Sequence, residues 1–394
     1  MKKIDRRTFL GITGLALLTF LTGCGSKEID PRSIEYKTFI DNMLSLLDRT
    51  YTPSQDWKNK TEQTILSEGK VDLGPGVHYI SLPLILDKAN TNGSEVSING
   101  SPDGQTYIVA PNGRAFFGIN IKDSVPLKIS LNNVTVITQG LGNNYDHNAY
   151  EYLTKKYTDN QRKRRISRLA LQDGGIGAFI GNVSINAQDC SFFARPSGLC
   201  GGLFNLNTFN YPNFDTGTPN IFTSCSFYQG FEPLIPSTGY FFDLQSGALS
   251  IANCELHNGY CSYSSPISAF YPSILTITNS KYAYYGPPVP KQHCLPIVDF
   301  GAKPFDHTKI PATHEQTPFI DIYNLEIEGT DRVCVKNPMG STGLDISTIV
   351  EDDSTQLKQI FNPHFLLGDP NGEVYQSYLN QHPQRLSIDN IKVE

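Results

Sequence analysis

The sequence has no apolar stretch long enough to cross a membrane. Its longest apolar run, from Gly11 to Leu21, is short and is interrupted by glycine and threonine, whereas a membrane-spanning helix needs about 20 apolar residues. Positive charge is also scarce, because 38 acidic residues outnumber 32 lysines and arginines and the net charge is -6. Contact with many phosphates requires an excess of basic residues. The composition therefore argues against nucleic acid as a partner.

The sequence also lacks the cysteine and histidine spacing of a zinc site. Cys24 stands alone near the amino terminus, and the other seven cysteines are an odd number, so they cannot all pair with one another. Cys190, Cys225 and Cys254 recur at one position of a repeated motif. That recurrence favours small buried apolar residues, with a disulfide as the alternative. Three further cysteines fall in loops, where an oxidising compartment would allow pairing.

The amino-terminal apolar run has the features of an export signal. Four basic residues precede it, and it ends at Leu21-Thr22-Gly23-Cys24, which resembles the lipobox of a bacterial lipoprotein. Arg6-Arg7-Thr8-Phe9-Leu10 also resembles a twin-arginine signal. The alternative is an ordinary apolar helix. We expect removal of residues 1–23, lipid attachment at Cys24, and a membrane-anchored, extracytoplasmic location in the cell envelope.

An eight-residue motif recurs seven times along the chain. It reads apolar, any, apolar, any, Asn or a close relative, small or apolar, any, apolar, as in Leu249 to Leu256. Its polar position, called the anchor here, is occupied by Asn133, Asp189, Ser224, Asn253, Asn279, Asn324 and Asn390. Because alternate residues of a strand face opposite sides, the motif predicts two short strands joined at a tight bend by the anchor.

The intervals between anchors are irregular, which excludes repeats of fixed length. A parallel β-helix keeps a short constant core and inserts loops of variable length, so it produces such intervals. The chain resembles the pectin-lyase-like family of right-handed parallel β-helices, in which asparagines stack in a ladder at this bend. The resemblance implies an all-β solenoid over residues 71–394.

Helical segments are predicted before and within the solenoid. Residues 24–33 read as a tether, and residues 34–70 as a helical cap on the open end of the solenoid, since apolar residues follow a helical period from Ile34. Residues 141–173 interrupt the strands and predict a basic helical insertion. Its run Arg162–Arg165 is either a solvated face or a clamp on an acidic polysaccharide or an anionic membrane surface.

The sequence lacks the catalytic signatures of the enzymes that it resembles. The family implies binding or cleavage of acidic polysaccharides, by calcium-assisted β-elimination or by hydrolysis between two carboxylates. The aspartate motifs of polygalacturonases and a pectate-lyase signature are absent. Calcium therefore has no support, and we predict no cofactor and no metal site. Whether the chain is an enzyme stays open, with a polysaccharide lyase or a glycoside hydrolase as the activities to consider.

A second strand in each coil is predicted to carry the candidate site. Alternation turns Phe204, Phe242, Phe270 and Phe300 inward, and their neighbours Asn205, Asp243, Tyr271 and Asp299 outward. The site is centred on Asp243, with Lys281 and His293 as further candidate catalytic residues, because a nearby cation keeps a carboxylate ionised and histidine titrates near neutrality. Candidate substrate-binding residues are Tyr260, Tyr271, Asn205, Gln245 and Asp299.

Each of these assignments has an alternative. Asp243 would also serve to keep a strand soluble, and tyrosines such as Tyr260 would also serve to pack loops. Two functions therefore remain. One is a surface-anchored β-helix lipoprotein that binds or processes polysaccharide, with a uronate-containing polymer favoured. The other is a non-catalytic lipoprotein with a structural or partner-binding role in the cell envelope.

The lipid anchor predicts the behaviour of a Cys24→Ser variant. Without the thiol, lipid cannot be attached, so the protein should remain uncleaved or should leave the membrane fraction. Membrane fractionation and the mass of the mature chain would show this. An unchanged membrane fraction would place the anchor elsewhere.

Overall fold

The computed structural model describes most of the strand-forming part of the chain. The described residues are 31–47, 58–80, 84–86, 94–110, 117–121, 125–139, 176–195, 202–208, 218–229, 240–259, 266–270, 273–286, 295–301, 319–330, 333–336, 344–345 and 386–393. They contain two helices, α1 (Pro31–Leu44) and α2 (Lys58–Glu68), and twenty-three strands. The prediction of an all-β chain with few helices is confirmed.

The strands form three ladders, which the chain visits in turn. The first ladder contains β1 (Lys70–Asp72), β4 (Glu95–Asn99), β7 (Leu127–Asn132), β10 (Val183–Gln188) and β13 (Asn220–Thr223). The second contains β2 (Gly76–Tyr79), β5 (Thr106–Ala110), β8 (Thr135–Gln139), β11 (Ser191–Arg195), β14 (Ser226–Gln229) and β16 (Glu255–Asn258). The third contains β3 (Leu84–Leu86), β6 (Phe117–Ile121), β9 (Gly177–Gly181), β12 (Gly202–Thr208), β17 (Ile267–Phe270), β19 (Leu295–Gly301), β21 (Val333–Lys336) and β22 (Leu344–Asp345).

Four long strands belong to two ladders each. The strand β15 (Tyr240–Ala252) joins the third ladder to the first. The strands β18 (Ser273–Tyr284), β20 (Phe319–Glu328) and β23 (Leu386–Val393) run through the first ladder, past an anchor, into the second. Among the described strands the pairings are parallel, except that β22 runs antiparallel to β21. The result is a large, mostly parallel sheet structure in which equal positions of successive motifs lie in register.

The seven anchors lie at the bends between the first and second ladders. All seven have a positive φ, between 48° and 56°, although none is glycine. The backbone N–H of Asn253 donates to the carbonyl of Thr278 in the next coil at 3.0 Å. Side-chain amides also stack, since Asn324 Nδ2 donates to Asn279 Oδ1 at 2.8 Å and Asn390 Nδ2 donates to Asn324 Oδ1 at 2.9 Å. The motif therefore marks a left-handed bend stabilised by its neighbours.

The inward side chains of all three ladders belong to one hydrophobic cluster. Ile98 of the first ladder, Val136 of the second and Phe204 of the third are fully buried members of it. Such residues explain why apolar side chains alternate with polar ones along each strand. Phe204 and Phe242 lie in this core, as predicted.

The residue after each anchor also points into the core. Cys190, Cys225 and Cys254 occupy this position in successive coils, where they are buried as free thiols. The prediction of small buried residues is confirmed, and the disulfide alternative is not realised. Hydrogen bonding to a neighbouring thiol, together with burial, raises the pKa of Cys225 and of Cys254 above that of an exposed cysteine. Little thiolate forms at neutral pH, so these cysteines act as packing residues.

The predicted cap region contains both described helices, but they have different positions. Ile65 of α2 is fully buried in the main core beside β1, so α2 covers the amino-terminal end of the core. The helix α1 instead lies across the outer face of the second ladder. Its Ile40 and Leu44 form a second cluster with Tyr79, Val109 and Phe193. The prediction that the first helix caps the open end is corrected, because its apolar stripe matches an apolar row on the outside of the strands.

Several predicted segments lie outside the described residues. They are the export signal with Cys24, the tether up to residue 30, and the basic insertion at residues 141–173.

The left-handed anchors predict a difference between two substitutions of Asn253. At a φ of 54°, alanine is strained by about 1–2 kcal/mol, whereas glycine adopts this conformation readily. Asn253→Ala should therefore lower the free energy of unfolding by about 1 kcal/mol more than Asn253→Gly does. Chemical denaturation would measure both. Asn186→Ala, in the strand β10, is a control for loss of an amide without a left-handed bend, and equal stabilities of the two Asn253 variants would contradict the prediction.

Candidate functional site

Asp243 lies near the middle of the third ladder. Its neighbours Phe242 and Leu244 are fully buried in the core, and Asp243 itself is half-buried. Because successive strand residues face opposite sides, the carboxylate of Asp243 is on the outer side of the sheet. The prediction that Asp243 faces outward is confirmed.

Strand pairing places polar residues at the register position of Asp243 in adjacent coils. Asn205 of β12 precedes it, and Ser268 of β17, Asp299 of β19 and Lys336 of β21 follow it. These five positions are called the polar row. Adjacent strands are about 4.8 Å apart, so the polar row is about 19 Å long. It brings together three of the residues predicted for the site, namely Asn205, Asp243 and Asp299.

The polar row differs from the predicted one at a single coil. Phe242 pairs with Ile267, and Phe270 pairs with Gly301, so the predicted alignment of Phe270 with Phe242 is wrong by three residues. Ser268 therefore holds the position that was predicted for Tyr271. The sequence contained a signal for the correct alignment, because the apolar-polar-apolar triplet Ile267-Ser268-Ala269 matches Phe242-Asp243-Leu244. The prediction instead aligned the two strands by their phenylalanines.

Four predicted residues do not belong to the described part of the polar row. In β15, pairing passes from Leu244 to Ser246, so Gln245 is the extra residue of a β-bulge and has no register partner in β12. A bulge changes the direction of the residues around it. Tyr260, Tyr271 and His293 lie outside the described residues.

Lys281 lies in a different ladder from Asp243. It follows the anchor Asn279 on the second-ladder part of β18, where it pairs in register with Glu255 and Glu326. Its ammonium group is 2.8 Å from a carboxylate oxygen of Glu328 and 3.1 Å from one of Glu326. The hydrogen bond to Glu328 raises the pKa of Lys281. This placement corrects the prediction that Lys281 flanks Asp243, because the bend at Asn279 carries the chain onto another face.

A second group of polar and aromatic side chains lies on the second ladder beneath α1. The imidazole of His257 stacks on the ring of Tyr228, with centroids 4.5 Å apart and planes at 2°. His257 Nε2 donates to Glu255 Oε2 at 2.9 Å. A carboxylate only accepts, so in the neutral ring Nδ1 accepts from the hydroxyl of Tyr285, at 3.1 Å. The strand that contains His257 and the partners of its imidazole emerge only from the fold.

The helix α1 covers this group. Tyr36 of α1 stacks on Tyr285 at 4.0 Å and 6°, and its hydroxyl donates to the carbonyl of His257 at 3.2 Å. Burial beneath the helix raises the pKa of Tyr228 to about 12. Because His257 is buried by Tyr36 and Tyr228, the geometry fits helix docking better than access by a substrate. We therefore assign this group to the attachment of α1.

The described residues contain no membrane-spanning helix and no grouping of three His, Cys, Asp or Glu side chains suited to a metal ion.

The pair of Glu255 and His257 predicts a pH dependence of stability. The hydrogen bond from His257 lowers the pKa of Glu255 below its ordinary value of 4.5, so the ionised carboxylate stabilises the fold above that pH and this contribution is lost as the pH falls. Glu255→Gln should cost a few tenths of a kcal/mol at pH 6–7, since the carboxylate is half-exposed. The cost should decrease as the pH falls below 4.5. Thermal unfolding across this range tests it, and a cost that does not depend on pH would contradict it.

Comparison of the chain with protein-family models, with curated proteins and with solved structures finds no match. These comparisons therefore assign no ligand to the polar row.

Proposed function

We propose that the protein is a right-handed parallel β-helix of the pectin-lyase-like kind, carried on the cell envelope by a lipid at Cys24, that binds polysaccharide along the polar row. Three ladders that share one core, with seven stacked bends, support a solenoid. The lipobox-like sequence at Leu21 to Cys24 supports the lipid anchor.

The observation that carries the binding proposal is the polar row itself. Positions Asn205, Asp243, Ser268, Asp299 and Lys336 repeat at one strand spacing along a rigid sheet. A linear polymer with repeating hydroxyl groups fits such a row, since carboxylates and amides accept hydrogen bonds from hydroxyls and a lysine supplies one cation. A rigid scaffold also reduces the entropy lost on binding. Lys281 lies in another ladder, so Lys336 is the cation in register with Asp243 and Asp299. One cation beside two carboxylates does not select for acidic sugars, so neutral as well as acidic sugars are proposed as ligands.

Hydrolysis is a second candidate function, for one specific reason. Asp243 and Asp299 share a register position with one strand between them, so their Cα atoms are about 9.6 Å apart. Inverting glycoside hydrolases hold two carboxyl groups about 6.5–9.5 Å apart, with a water molecule between the second carboxylate and the sugar, and aspartate side chains can span that separation from Cα atoms at this distance. In that case Asp243 and Asp299 would be the acid and base, in an order that the spacing does not fix.

Binding measurements on variants of the polar row test the proposal. The full chain should be titrated with polygalacturonate, alginate, xylan and a soluble β-glucan, and release of reducing ends should be followed in parallel. Asp243→Asn and Asp299→Asn should each weaken binding of the responsive polymer about tenfold, which corresponds to about 1.4 kcal/mol.

The matched control is Asp321→Asn, the same change on the outer face of the first ladder. It should leave binding unchanged. If both polar-row variants fold and bind like the unmodified protein, the polar row is not the site. Release of reducing ends that is abolished by either polar-row variant would establish hydrolysis.

A further inference from the structure

The outer side of the first ladder carries a second regular surface, distinct from the polar row. Four adjacent strands, β10, β13, β15 and β18, each contribute two outward positions there. These eight positions, called the neutral face, are Asn186, Gln188, Ile221, Thr223, Ser250, Ala252, Thr276 and Thr278. None of them carries a charge.

The core fixes the orientation of the neutral face. Residues that alternate with it, such as Ala187, Phe222, Ile251 and Ile277, are fully buried. Their neighbours must therefore lie on the other side of the sheet. The eight side chains are half-exposed or exposed, so they form an accessible surface.

Five polar side chains of the neutral face are available for hydrogen bonding, whereas the amide of Gln188 donates to Asp189 Oδ2 at 3.2 Å. The side chains of Asn186, Thr223, Ser250, Thr276 and Thr278 form no side-chain hydrogen bond with any residue that the structure describes. The amino-terminal strands of the same ladder contrast with this arrangement.

In those strands the outward amides satisfy one another. Asn132 Nδ2 donates to Asn99 Oδ1 at 2.7 Å, and Asn99 Nδ2 donates to Asp72 Oδ1 at 2.8 Å. Donors and acceptors open to a ligand are therefore concentrated on the four strands of the neutral face.

The spacing of the neutral face is regular in two directions. Strands are about 4.8 Å apart, and alternate residues along one strand are about 6.6 Å apart. Short side chains on a parallel sheet in register form a nearly flat grid with little conformational entropy to lose. Such a grid fits an extended, ordered surface of hydroxyl groups better than it fits a small molecule, which usually needs a concave pocket.

The next strand of the ladder, β20, indicates which kind of ligand surface would fit the grid. Tyr323 of β20 is in register with Thr278 and is 48% exposed. Its ring offers an apolar face and a hydroxyl, which suits the apolar face of a sugar ring, and the exposed Ile221 adds a second apolar contact. The neutral face itself carries no charge, and the outward charge beside it on β20, Asp321 in register with Thr276, is negative, so neither attracts a uronate or a phosphate.

We infer that the neutral face, with Tyr323 at its edge, is a docking surface for a flat, uncharged polysaccharide such as cellulose or chitin. The neutral face holds the polymer by hydrogen bonds from Thr276 and Thr278 and by stacking on Tyr323. This surface is independent of the polar row, since it lies on another ladder.

Co-sedimentation of the full chain with microcrystalline cellulose and with chitin particles tests the inference. The unmodified protein should bind at least one of them saturably. Thr276→Arg and Thr278→Arg place a long charged side chain on the flat grid and should each weaken binding at least tenfold. Tyr323→Ala should weaken it several-fold. Melting curves by circular dichroism should show that each variant is folded.

Two controls separate this surface from the rest of the molecule. Thr135→Arg makes the same change on the outer face of the second ladder, in the strand β8, and should bind like the unmodified protein. Asp243→Asn should also bind normally, even if it loses a soluble polymer.

The inference would be overturned by a failure to bind either particle or by full binding of both arginine variants. Loss of binding in Asp243→Asn alone would also contradict it, because the particles would then be assigned to the polar row. A thermal hysteresis of freezing without polysaccharide binding would also overturn it, because ice would then be the surface that the grid fits.

Discussion

The structure depends on a left-handed bend that repeats in every coil from residue 133 onward. Each anchor adopts a positive φ without being glycine, which costs about 1–2 kcal/mol for an ordinary residue. Neighbouring coils offset this strain, because the backbone of one anchor donates to the coil that follows and asparagine side chains stack from Asn279 through Asn324 to Asn390. If the bends did not stack, the first and second ladders would lose their common register.

That register makes every inward position a column of similar residues. The column after the anchor contains Cys190, Cys225, Cys254 and then Ser280, whose hydroxyl oxygen accepts from the backbone N–H of Cys254 at 3.1 Å. The same position holds Val134 before these residues and Leu325 and Ile391 after them, and all of these side chains are buried. The column therefore selects residues that can be buried, and its size limit changes from one coil to the next.

The same register gives each outer face its own character. The second ladder aligns Tyr79, Val109, Phe193 and Tyr228, and this apolar row is covered by α1. The third ladder aligns carboxylates, an amide and a hydroxyl around Asp243, and the middle strands of the first ladder align neutral hydroxyls and amides. The sheet structure therefore presents a covered face, a polar row and a neutral face, and the proposed ligands follow from these differences.

The sequence by itself determined the repeated strand pairs, the seven anchors and the burial of the three cysteines, because these depend on alternation and on a bend within a few residues. It also determined that Asp243 faces outward. Only the tertiary structure decided what lies beside Asp243. The loops between coils vary in length, so alignment by phenylalanines placed Tyr271 where Ser268 stands. The bend at Asn279 carries Lys281 onto a different face from Asp243. The sequence did not determine the position of α1 either, since its apolar stripe could pack on the open end of the core or on the apolar row outside the second ladder. Register between distant strands is set by the packing of whole coils, and no local pattern contains it.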